Sequence, residues 1–424
     1  MSTAIEKYTI TPEAKRFTLI LLVVGLILTA IGAVFNLDNP TRIWSGLLLN
    51  NLFFLMLGLV AALFLSAHIV GYGGWLTIFR RVPEAMMLYV PVGGVLLLII
   101  LGLGLHHIYH WSHEELYDPN SPMYDAILDG KRAFLNAGFF FARAIGYIAI
   151  WTGLIWLLRR NSIQSDLGTR ADGARLYQSS KYIAAIFVVV YAVTSSTSSW
   201  DWIMSIQPHW YSTLFGWYNF ISILVTCIAF MILVLVYLTK NNYLQGITNE
   251  HFHDLGKFMF GFSVAWAYLF YSQFMLIWYA NIPEETLYFK YRIDNYPVVM
   301  WLCVLLNFVT PFFLLISRDV KRDRSRRVMI IAALIIIFGH WLDFYQMIMP
   351  GAFANMAHAG GDHHAEAADH AHHAAEVVRI GLYEIGLLLT FAGLFVYLML
   401  YNLSKQRMVP VNHPFLKESR VYHT

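Results

Sequence analysis

Two titratable side chains stand three residues apart inside a long apolar stretch near the end of the chain. His340 and Asp343 are i, i+3 neighbours, so an α-helix would place them on one face. An ionisable group within an apolar segment is costly, and each one is therefore a functional hypothesis by default. Together the imidazole and the carboxylate could relay a proton or form one side of a polar pocket. The alternative is a structural pair that pins two helices together, and the sequence leaves both open.

A run of hydroxyl residues ends beside a third ionisable group. Residues 194–199 are all Ser or Thr, and Asp201 follows between two tryptophans. Small hydroxyl residues allow helices to approach closely and can bond to backbone carbonyls of their own helix. They can also hold water. The run therefore indicates either tight packing or a wet polar lining that ends at Asp201.

Five more ionisable residues lie within or at the ends of apolar stretches. With the three above they are the candidates for a proton pathway: Arg143, Glu384, His68, Glu84 and Lys181. Arg143 is a candidate partner for Asp201 or for Asp343. Glu384 could pair with Arg379 or with the cluster around Asp343.

The composition requires a membrane around these residues. Of 424 residues, 58% are hydrophobic and only 13% are charged, whereas a soluble domain carries about 25% charged residues. So little charge cannot cover a water-facing surface, and so much apolar material excludes a disordered chain. Two cysteines, both in apolar runs, exclude a disulfide-rich secreted fold. The near balance of 29 basic and 26 acidic residues gives no case for nucleic acid as a partner.

Ten stretches are apolar enough to cross a lipid bilayer, for which about 20 residues are needed. Only helices satisfy every backbone group within a lipid-exposed segment, and the alternation expected of an outer-membrane barrel is missing. The sequence therefore predicts an all-α polytopic membrane protein with ten transmembrane helices. Their predicted ranges are 17–35, 43–69, 84–105, 136–158, 180–202, 211–239, 257–280, 296–317, 328–348 and 377–402.

Lys and Arg are distributed unequally between the two sides of the membrane. The rich side receives both tails and the loops that follow the second, fourth, sixth and eighth spans. By the positive-inside rule this side is cytoplasmic, so both termini are predicted to be cytoplasmic. The chain then divides into a tail at 1–16, one membrane domain at 17–402 and a tail at 403–424. A His-rich loop at 349–376 lies on the opposite side.

His68 and Glu84 fall near the cytoplasmic ends of the second and third spans and could form an inner entry point. A lone His near a helix end is more often an interface residue, and a carboxylate in a first turn favours the helix dipole. Lys181 and Asp201 lie on one span, about 30 Å apart. These two residues therefore mark opposite faces of the membrane.

The sequence offers no ligand set for a redox cofactor. It has no Cys-x-x-Cys-His motif for a c-type haem, and two isolated cysteines cannot hold an iron–sulfur cluster. His68 and His340 lie at different depths and do not match as axial ligands of a b-type haem. We expect no metal and no cofactor in this chain. The six histidines between 358 and 373 are predicted to form a solvated insert, although such a segment could also bind metal.

Three segments resemble the polysulfide-reductase NrfD-type membrane subunits of alternative complex III. Residues 199–216 read SWDWIMSIQPHWYSTLFG, residues 271–286 read YSQFMLIWYANIPEET, and residues 340–350 read HWLDFYQMIMP. The resemblance covers essentially the whole chain, and the number of spans agrees with it. Within that complex the chain is more similar to the shorter of the two NrfD-like subunits.

The resemblance implies a fold and a function. The fold would contain two four-helix bundles, spans 2–5 and 6–9, flanked by spans 1 and 10. The complex lies in the bacterial inner membrane, oxidises quinol such as menaquinol, and passes electrons through iron–sulfur and c-type haem subunits. Its NrfD-like subunits hold no redox cofactor and are proposed to conduct protons, and Asp201, His340 and Asp343 fall where such routes would run. The implied partners are a second NrfD-like subunit, the iron–sulfur and c-type cytochrome subunits and, in some complexes, a terminal oxidase.

Two alternatives to a scaffolding and proton-conducting role remain open from the sequence. This chain could itself bind and oxidise quinol near the outer face, with His340 or Asp343 accepting the quinol proton. It could instead be a secondary transporter, a class that usually shows repeated halves and broken helices at the midplane. The Gly and Pro breaks in this chain fall mostly at span ends.

Overall fold

The computed structural model describes residues 7–323, 325–358 and 377–422. Within these residues the chain is helical, and an isolated bridge between Lys7 and Arg407 is the only strand-like feature. Ten helices in this part of the chain are long and apolar enough to cross a membrane, which confirms the predicted class and number of spans. Spans 1 to 10 are Pro12–Val34, Pro40–Val70, Arg81–Ile108, Ala137–Leu167, Arg170–Ile206, Leu214–Lys240, Asn249–Ala280, Pro297–Leu315, Arg327–Ala354 and Leu382–Ser404.

Polar capping residues set the ends of several spans. Pro12 occupies the first turn of span 1, where a missing N–H costs nothing, and the Thr11 side chain caps that helix. Thr169 and Asp172 form a reciprocal capping box at the start of span 5. These caps lie outside the apolar stretches, so both helices begin earlier than hydropathy predicted.

Spans 4 and 5 are longer than a membrane crossing requires. They contain 31 and 37 residues, or about 46 and 55 Å at 1.5 Å per residue, against a hydrocarbon core of about 30 Å. The extra turns lie at the end that faces the chain termini. There Asn412 of the C-terminal tail donates from Nδ2 to the carbonyls of Ser165 and Gly168. The extensions therefore form a platform for the tail.

The ten spans form two four-helix bundles and a flanking pair. Spans 2, 3, 4 and 5 contact one another in a ring, and spans 6, 7, 8 and 9 form a second ring. The bundles meet where span 2 packs against spans 6 and 9, and where span 5 packs against span 6. Spans 1 and 10 pair with each other, and span 10 packs against span 2 and the start of span 3. This is the arrangement that the sequence resemblance implied.

Glycines bring spans 1 and 10 into close contact. A Cβ on Gly25 would lie 2.5 Å from the backbone nitrogen of Thr390, and a Cβ on Gly386 would lie 2.4 Å from the backbone nitrogen of Thr29. No larger residue fits at these distances. Small residues are the usual means of helix association in lipid, because the hydrophobic effect between helices is missing there.

Both ends of the chain lie on the same side of the ten spans. The hydroxyl of Tyr8 is 3.0 Å from that of Tyr237 near the end of span 6. The hydroxyl of Tyr422 donates to Asp254, at 2.5 Å, near the start of span 7. This agrees with the even number of crossings. We call this side inner and the opposite side outer, following the predicted distribution of Lys and Arg.

Candidate functional site

The second bundle buries His340 and Asp343 almost completely, at 0% and 1% exposure. They lie one turn apart on span 9, as their spacing predicted, with 3.8 Å between His340 Nδ1 and Asp343 Oδ2. Ser222 of span 6 joins them more closely, since its Oγ is 2.8 Å from Asp343 Oδ2 and 3.0 Å from His340 Nδ1. Because the single hydroxyl proton of Ser222 is donated to the carboxylate, Oγ accepts from His340, so Nδ1 carries the imidazole proton.

Two aromatic donors complete the surroundings of Asp343. The hydroxyl of Tyr218 and the indole Nε1 of Trp266, the latter at 2.9 Å, donate to its carboxylate oxygens. Among the described residues the only ion-pair neighbour of Asp343 is His340. The carboxylate is therefore held by neutral donors and has no Lys or Arg as a fixed positive partner.

A small cavity lies on the outer side of Asp343. Its walls include Asp343, Tyr218, Gln273, Arg292 and Gln346, and its free volume of about 20 Å³ is enough for one water molecule. Both polar atoms of the Gln346 side-chain amide are buried without a protein hydrogen-bond partner. The cavity therefore combines space for water with polar groups able to bind it.

Span 9 continues through Pro350, whereas the sequence predicted that it ends just before this residue. Proline has no N–H to bond the carbonyl of Gln346, four residues earlier. Arg292 Nε donates to this carbonyl at 2.9 Å, and Arg292 Nη2 donates to the carbonyl of Met347 at 3.4 Å. Because the guanidinium replaces the lost backbone bond, the helix runs on to His358.

Sequence reasoning missed Arg292, as it missed the three neutral donors to Asp343. Arg292 lies on the outer helix Pro283–Asn295, in a segment that the sequence assigned only to a loop, yet it is 3% exposed. Its guanidinium stands 3.5 Å from the ring centroid of Tyr288 and donates from Nη2 to Gln207 Oε1 at 3.1 Å. Burial lowers the pKa of Arg292 from its ordinary value, but an arginine remains charged in proteins. Pro350 was the one available signal, since its freed carbonyl requires a donor.

The first bundle holds its outer carboxylate in a different way. Asp201 is 1% exposed. Its two carboxylate oxygens accept hydrogen bonds from Nε and Nη2 of Arg143, each at 2.8 Å. The Arg143 guanidinium also lies against the rings of Phe134 and Phe139. Of the two partners that the sequence allowed for Arg143, the structure selects Asp201.

The hydroxyl run before Asp201 bonds largely to its own helix. Five of its six side chains donate to carbonyls three or four residues earlier on span 5, and these are Thr194, Ser195, Thr197, Ser198 and Ser199. Ser196 packs against Gly216 of span 6, where a Cβ would lie 2.9 Å from its side chain. The geometry therefore favours tight packing over a wet lining for this segment.

Glu384 pairs with a residue that the sequence analysis did not consider. Arg42 at the start of span 2 places Nε 2.7 Å from Oε1 and Nη2 2.9 Å from Oε2 of Glu384. The backbone N–H of Gly381 also donates to this carboxylate, at 2.7 Å. Both predicted pairings were wrong, because span 10 packs against span 2 at its outer end and not against the Asp343 site. Arg379 contributes only its backbone carbonyl, which accepts from Arg42.

Glu84 lies at the inner end of the first bundle among three arginines. Arg80 Nε is 2.8 Å, Arg81 Nη1 2.5 Å and Arg159 Nη1 2.5 Å from its oxygens. All four side chains are buried. This cluster is a fixed ionic network, which is how a buried carboxylate is stabilised in the charged state.

His68 and Lys181 are not joined to Glu84 directly. His68 Nδ1 bonds to the carbonyl of Phe64 at 2.7 Å, and its ring lines a small inner cavity that Arg80 also borders. Lys181 is partly exposed and donates to the hydroxyl of Tyr72 at 2.5 Å. Arg80 is thus the residue that borders both the His68 cavity and the Glu84 cluster.

The His-rich segment predicted at 358–373 lies, beyond the helical His358, outside the described residues. No model of a known protein family matches the chain, and no curated protein matches it significantly. Within the described residues, the fold and the site define a ten-span membrane protein with three buried carboxylates on its outer side. Asp201 and Glu384 are each paired with an arginine, whereas Asp343 is held by neutral donors. The function of the chain must therefore be argued from that geometry.

Proposed function

We propose that this chain is a cofactor-free membrane subunit of a respiratory quinol-oxidising complex of the alternative complex III type, and that it conducts protons through its second bundle. The observation that carries the proposal is the hydrogen-bonded series His340, Ser222 and Asp343. It is buried between spans 6 and 9 and ends at a water-sized cavity on the outer side. An ionisable series of this kind inside a membrane bundle is typical of a proton route.

The orientation of the hydrogen bonds supports outward transfer. His340 Nδ1–H points to Ser222 Oγ, and the Ser222 hydroxyl points to Asp343. A proton that reaches His340 Nε2 from the inner side can therefore be balanced by release of the Nδ1 proton to Ser222. Ser222 in turn passes its own proton to Asp343, which releases one to water in the cavity. Nε2 of His340 is buried with no hydrogen-bond partner among the described residues, so it can accept the incoming proton.

The three segments that resemble NrfD-type subunits converge around Arg292. Gln207 belongs to the first segment and accepts from Arg292 Nη2. Gln273 belongs to the second and lines the same cavity as Arg292, and Gln346 belongs to the third and accepts from Arg292 Nε. This convergence supports the proposal that the chain is an NrfD-type subunit, because three segments that are far apart in sequence come together around one residue.

The size of the cavity favours proton transfer over quinol oxidation in this bundle. A site for a small organic molecule usually encloses about 300–1,000 Å³, whereas the space beside Asp343 has about 20 Å³. We therefore propose that quinol is oxidised on the second NrfD-like subunit. Electrons then pass to the iron–sulfur and c-type cytochrome subunits, and from them to an acceptor or a terminal oxidase.

The proposal is tested on the intact complex, purified with this chain and reconstituted into vesicles. Quinol-driven electron transfer and the accompanying change of external pH are measured for wild type and for Asp343→Asn. We expect proton movement per electron to fall while the iron–sulfur and haem subunits still co-purify. Glu384→Gln is the matched control, since this carboxylate serves an outer ion pair away from the route.

Two outcomes contradict different parts of the proposal. If the chain purifies alone as a stable monomer, with no iron–sulfur or haem subunit, its membership in such a complex is wrong. If the complex forms but Asp343→Asn conducts protons like wild type, the route through the second bundle is wrong.

A further inference from the structure

A large apolar cavity opens on the inner half of the molecule, away from the Asp343 site. It encloses about 560 Å³ between spans 1, 2, 6, 9 and 10. Its floor is fully buried and includes Phe53, Leu57 and Trp341, each at 0% exposure. Its rim is exposed and includes Phe17 at 57% and Leu334 at 54%. The cavity therefore opens sideways between spans 1 and 9, toward the lipid.

The length of the cavity matches one leaflet of a bilayer. On span 10 its wall runs from Leu388 to Leu400, thirteen residues whose helical rise is about 18 Å. Half of a hydrocarbon core of about 30 Å is about 15 Å. Leu400 lies close to the inner end of span 10, which finishes at Ser404. The cavity thus reaches from the inner membrane surface to about the middle of the membrane.

The chemistry of the walls selects a hydrocarbon occupant. Apolar cavities exclude water, and even one of about 150 Å³ binds small apolar molecules. At the deep end the only polar group of Trp341, its indole N–H, already donates to Asn50 Oδ1 at 3.0 Å. A polar headgroup would find no partner there. The polar end of the occupant must therefore lie at the mouth.

The inner ends of spans 1 and 10, which flank the mouth, carry an excess of positive charge. Lys15 and Arg16 are exposed in the first turns of span 1, and Lys405 and Arg407 follow the end of span 10. Glu13 is the acidic residue on the cavity wall. Basic residues next to an inner membrane surface attract anionic lipid headgroups.

We infer that this cavity binds one acyl chain of an anionic phospholipid from the inner leaflet. The chain lies along span 10 with its end near Phe53 and Trp341, and the phosphate lies among the basic residues that flank the mouth. Such a lipid would fill the space between the pair formed by spans 1 and 10 and the two bundles. The inference is independent of the proton route.

Photolabelling of the full-length protein in phosphatidylcholine vesicles tests this inference. Two phosphatidylglycerol probes are used, one with a diazirine at the acyl-chain end and one with it next to the ester. We expect the first probe to label peptides that contain Phe53 or Trp341. We expect the second to label peptides that contain Tyr237 or Met399, which line the inner end of the cavity. Labels confined to the rim would overturn the inference.

The second test uses variants in which a larger side chain fills part of the cavity. Ala392→Trp adds bulk to a cavity wall and should reduce deep labelling by about tenfold or more, which corresponds to about 1.4 kcal/mol of binding. Leu103→Trp is the matched control, since Leu103 is 66% exposed on span 3 and is absent from the cavity wall. Leu388→Phe is a milder filling variant if Ala392→Trp does not fold. Unchanged deep labelling in a folded filling variant contradicts acyl-chain binding.

Competition separates the two hydrocarbon ligands that a membrane could supply. An excess of unlabelled phosphatidylglycerol should remove the deep label. If an isoprenoid quinone removes the label and phosphatidylglycerol does not, the cavity binds a quinone tail and the inference is wrong.

Discussion

The two bundles each bury a carboxylate near their outer end, but they stabilise it by different means. In the first bundle, the Asp201 carboxylate accepts two hydrogen bonds from the Arg143 guanidinium. In the second, the Asp343 carboxylate accepts hydrogen bonds from the Tyr218 hydroxyl, the Ser222 hydroxyl and the Trp266 indole. A fixed guanidinium neutralises the charge permanently. Neutral donors satisfy the oxygens but leave the net charge of the site to be set by a proton. This difference supports the proposal that the second bundle, and not the first, transfers protons.

Conformational breaks occur in both bundles, since a 3₁₀ turn at Met87–Tyr89 interrupts span 3 of the first, but two further breaks lie in spans 8 and 9. A π-helical turn at Leu305–Val309 precedes Pro311 in span 8, and Pro350 interrupts the hydrogen bonding of span 9. Both lie in the second bundle. Asn307 Nδ2 donates to the carbonyl of Gly339 at 3.1 Å, directly beside His340. π-turns inside helices are frequent at functional sites.

The largest expected effect is the loss of stability when Asp201 loses its arginine partner. Arg143→Ala should lower the free energy of unfolding by about 3–5 kcal/mol, because it leaves Asp201 buried and unpaired. Denaturant titration in detergent measures this. Arg143→Met combined with Asp201→Leu is the control, and it should restore most of the loss because no buried charge remains. If the Arg143→Ala protein is as stable as wild type, the Arg143–Asp201 pair does not stabilise the first bundle.

The next largest effect is expected from a substitution that widens the gap between spans 8 and 9 beside His340. A Cβ on Gly339 would lie 2.2 Å from Asn307 Oδ1 and 2.8 Å from Leu306 Cβ. Gly339→Ala should therefore push spans 8 and 9 apart, lower stability by about 1–3 kcal/mol and reduce proton movement. Gly153→Ala in the first bundle is the matched control, since nothing lies within 4 Å of its Cβ position. Equal effects at both glycines would show that this contact has no special role.

Removal of one hydroxyl should separate conduction from stability. Ser222→Ala deletes the group between His340 and Asp343 and should slow proton movement in vesicles by about tenfold or more, which is a barrier increase of about 1.4 kcal/mol. Thr226→Ala, one turn away, removes a hydroxyl that only donates to the Ser222 carbonyl. It should leave proton movement near wild type. If the two variants behave alike, Ser222 is a packing residue.

The smallest expected effect is that of pH on the docking of the C-terminal tail, which covers the inner end of the first bundle. Burial, followed by the charge of Arg80, lowers the pKa of His413 from 6.5 to about 2. His413 is therefore neutral when the tail is docked and protonates only when the tail is released. Docking is unaffected above about pH 6.5 and weakens as the pH falls below it, by under about 1 kcal/mol between pH 7 and pH 6.

Limited proteolysis of the tail across this pH range measures the effect. Cleavage should accelerate at lower pH in wild type, and His413→Gln should abolish the pH dependence because glutamine does not titrate. Acceleration that persists in His413→Gln would assign the pH dependence to another group.

Much of the architecture was predictable from local sequence. Span number, all-α class and the common side of the termini follow from the length of apolar runs and from the distribution of Lys and Arg. The i, i+3 spacing of His340 and Asp343 predicted a shared helix face, and the structure confirms it. The ends were less predictable, because capping residues such as Thr11 and Thr169 lie outside the apolar runs, and because Arg292 carries span 9 through Pro350.

The sequence by itself determined which segments enter the membrane and which ionisable residues enter with them, because hydropathy and helix length are properties of a continuous segment. Only the tertiary structure decided the partners: Arg143 for Asp201, Arg42 for Glu384, and Ser222 between His340 and Asp343. Such pairings depend on how each helix is rotated and at what depth it packs against its neighbours. Both are set by contacts between spans that are far apart in sequence. The same packing buries Arg292 against the carbonyls beside Pro350 within span 9, and it forms the lipid-facing cavity among five spans.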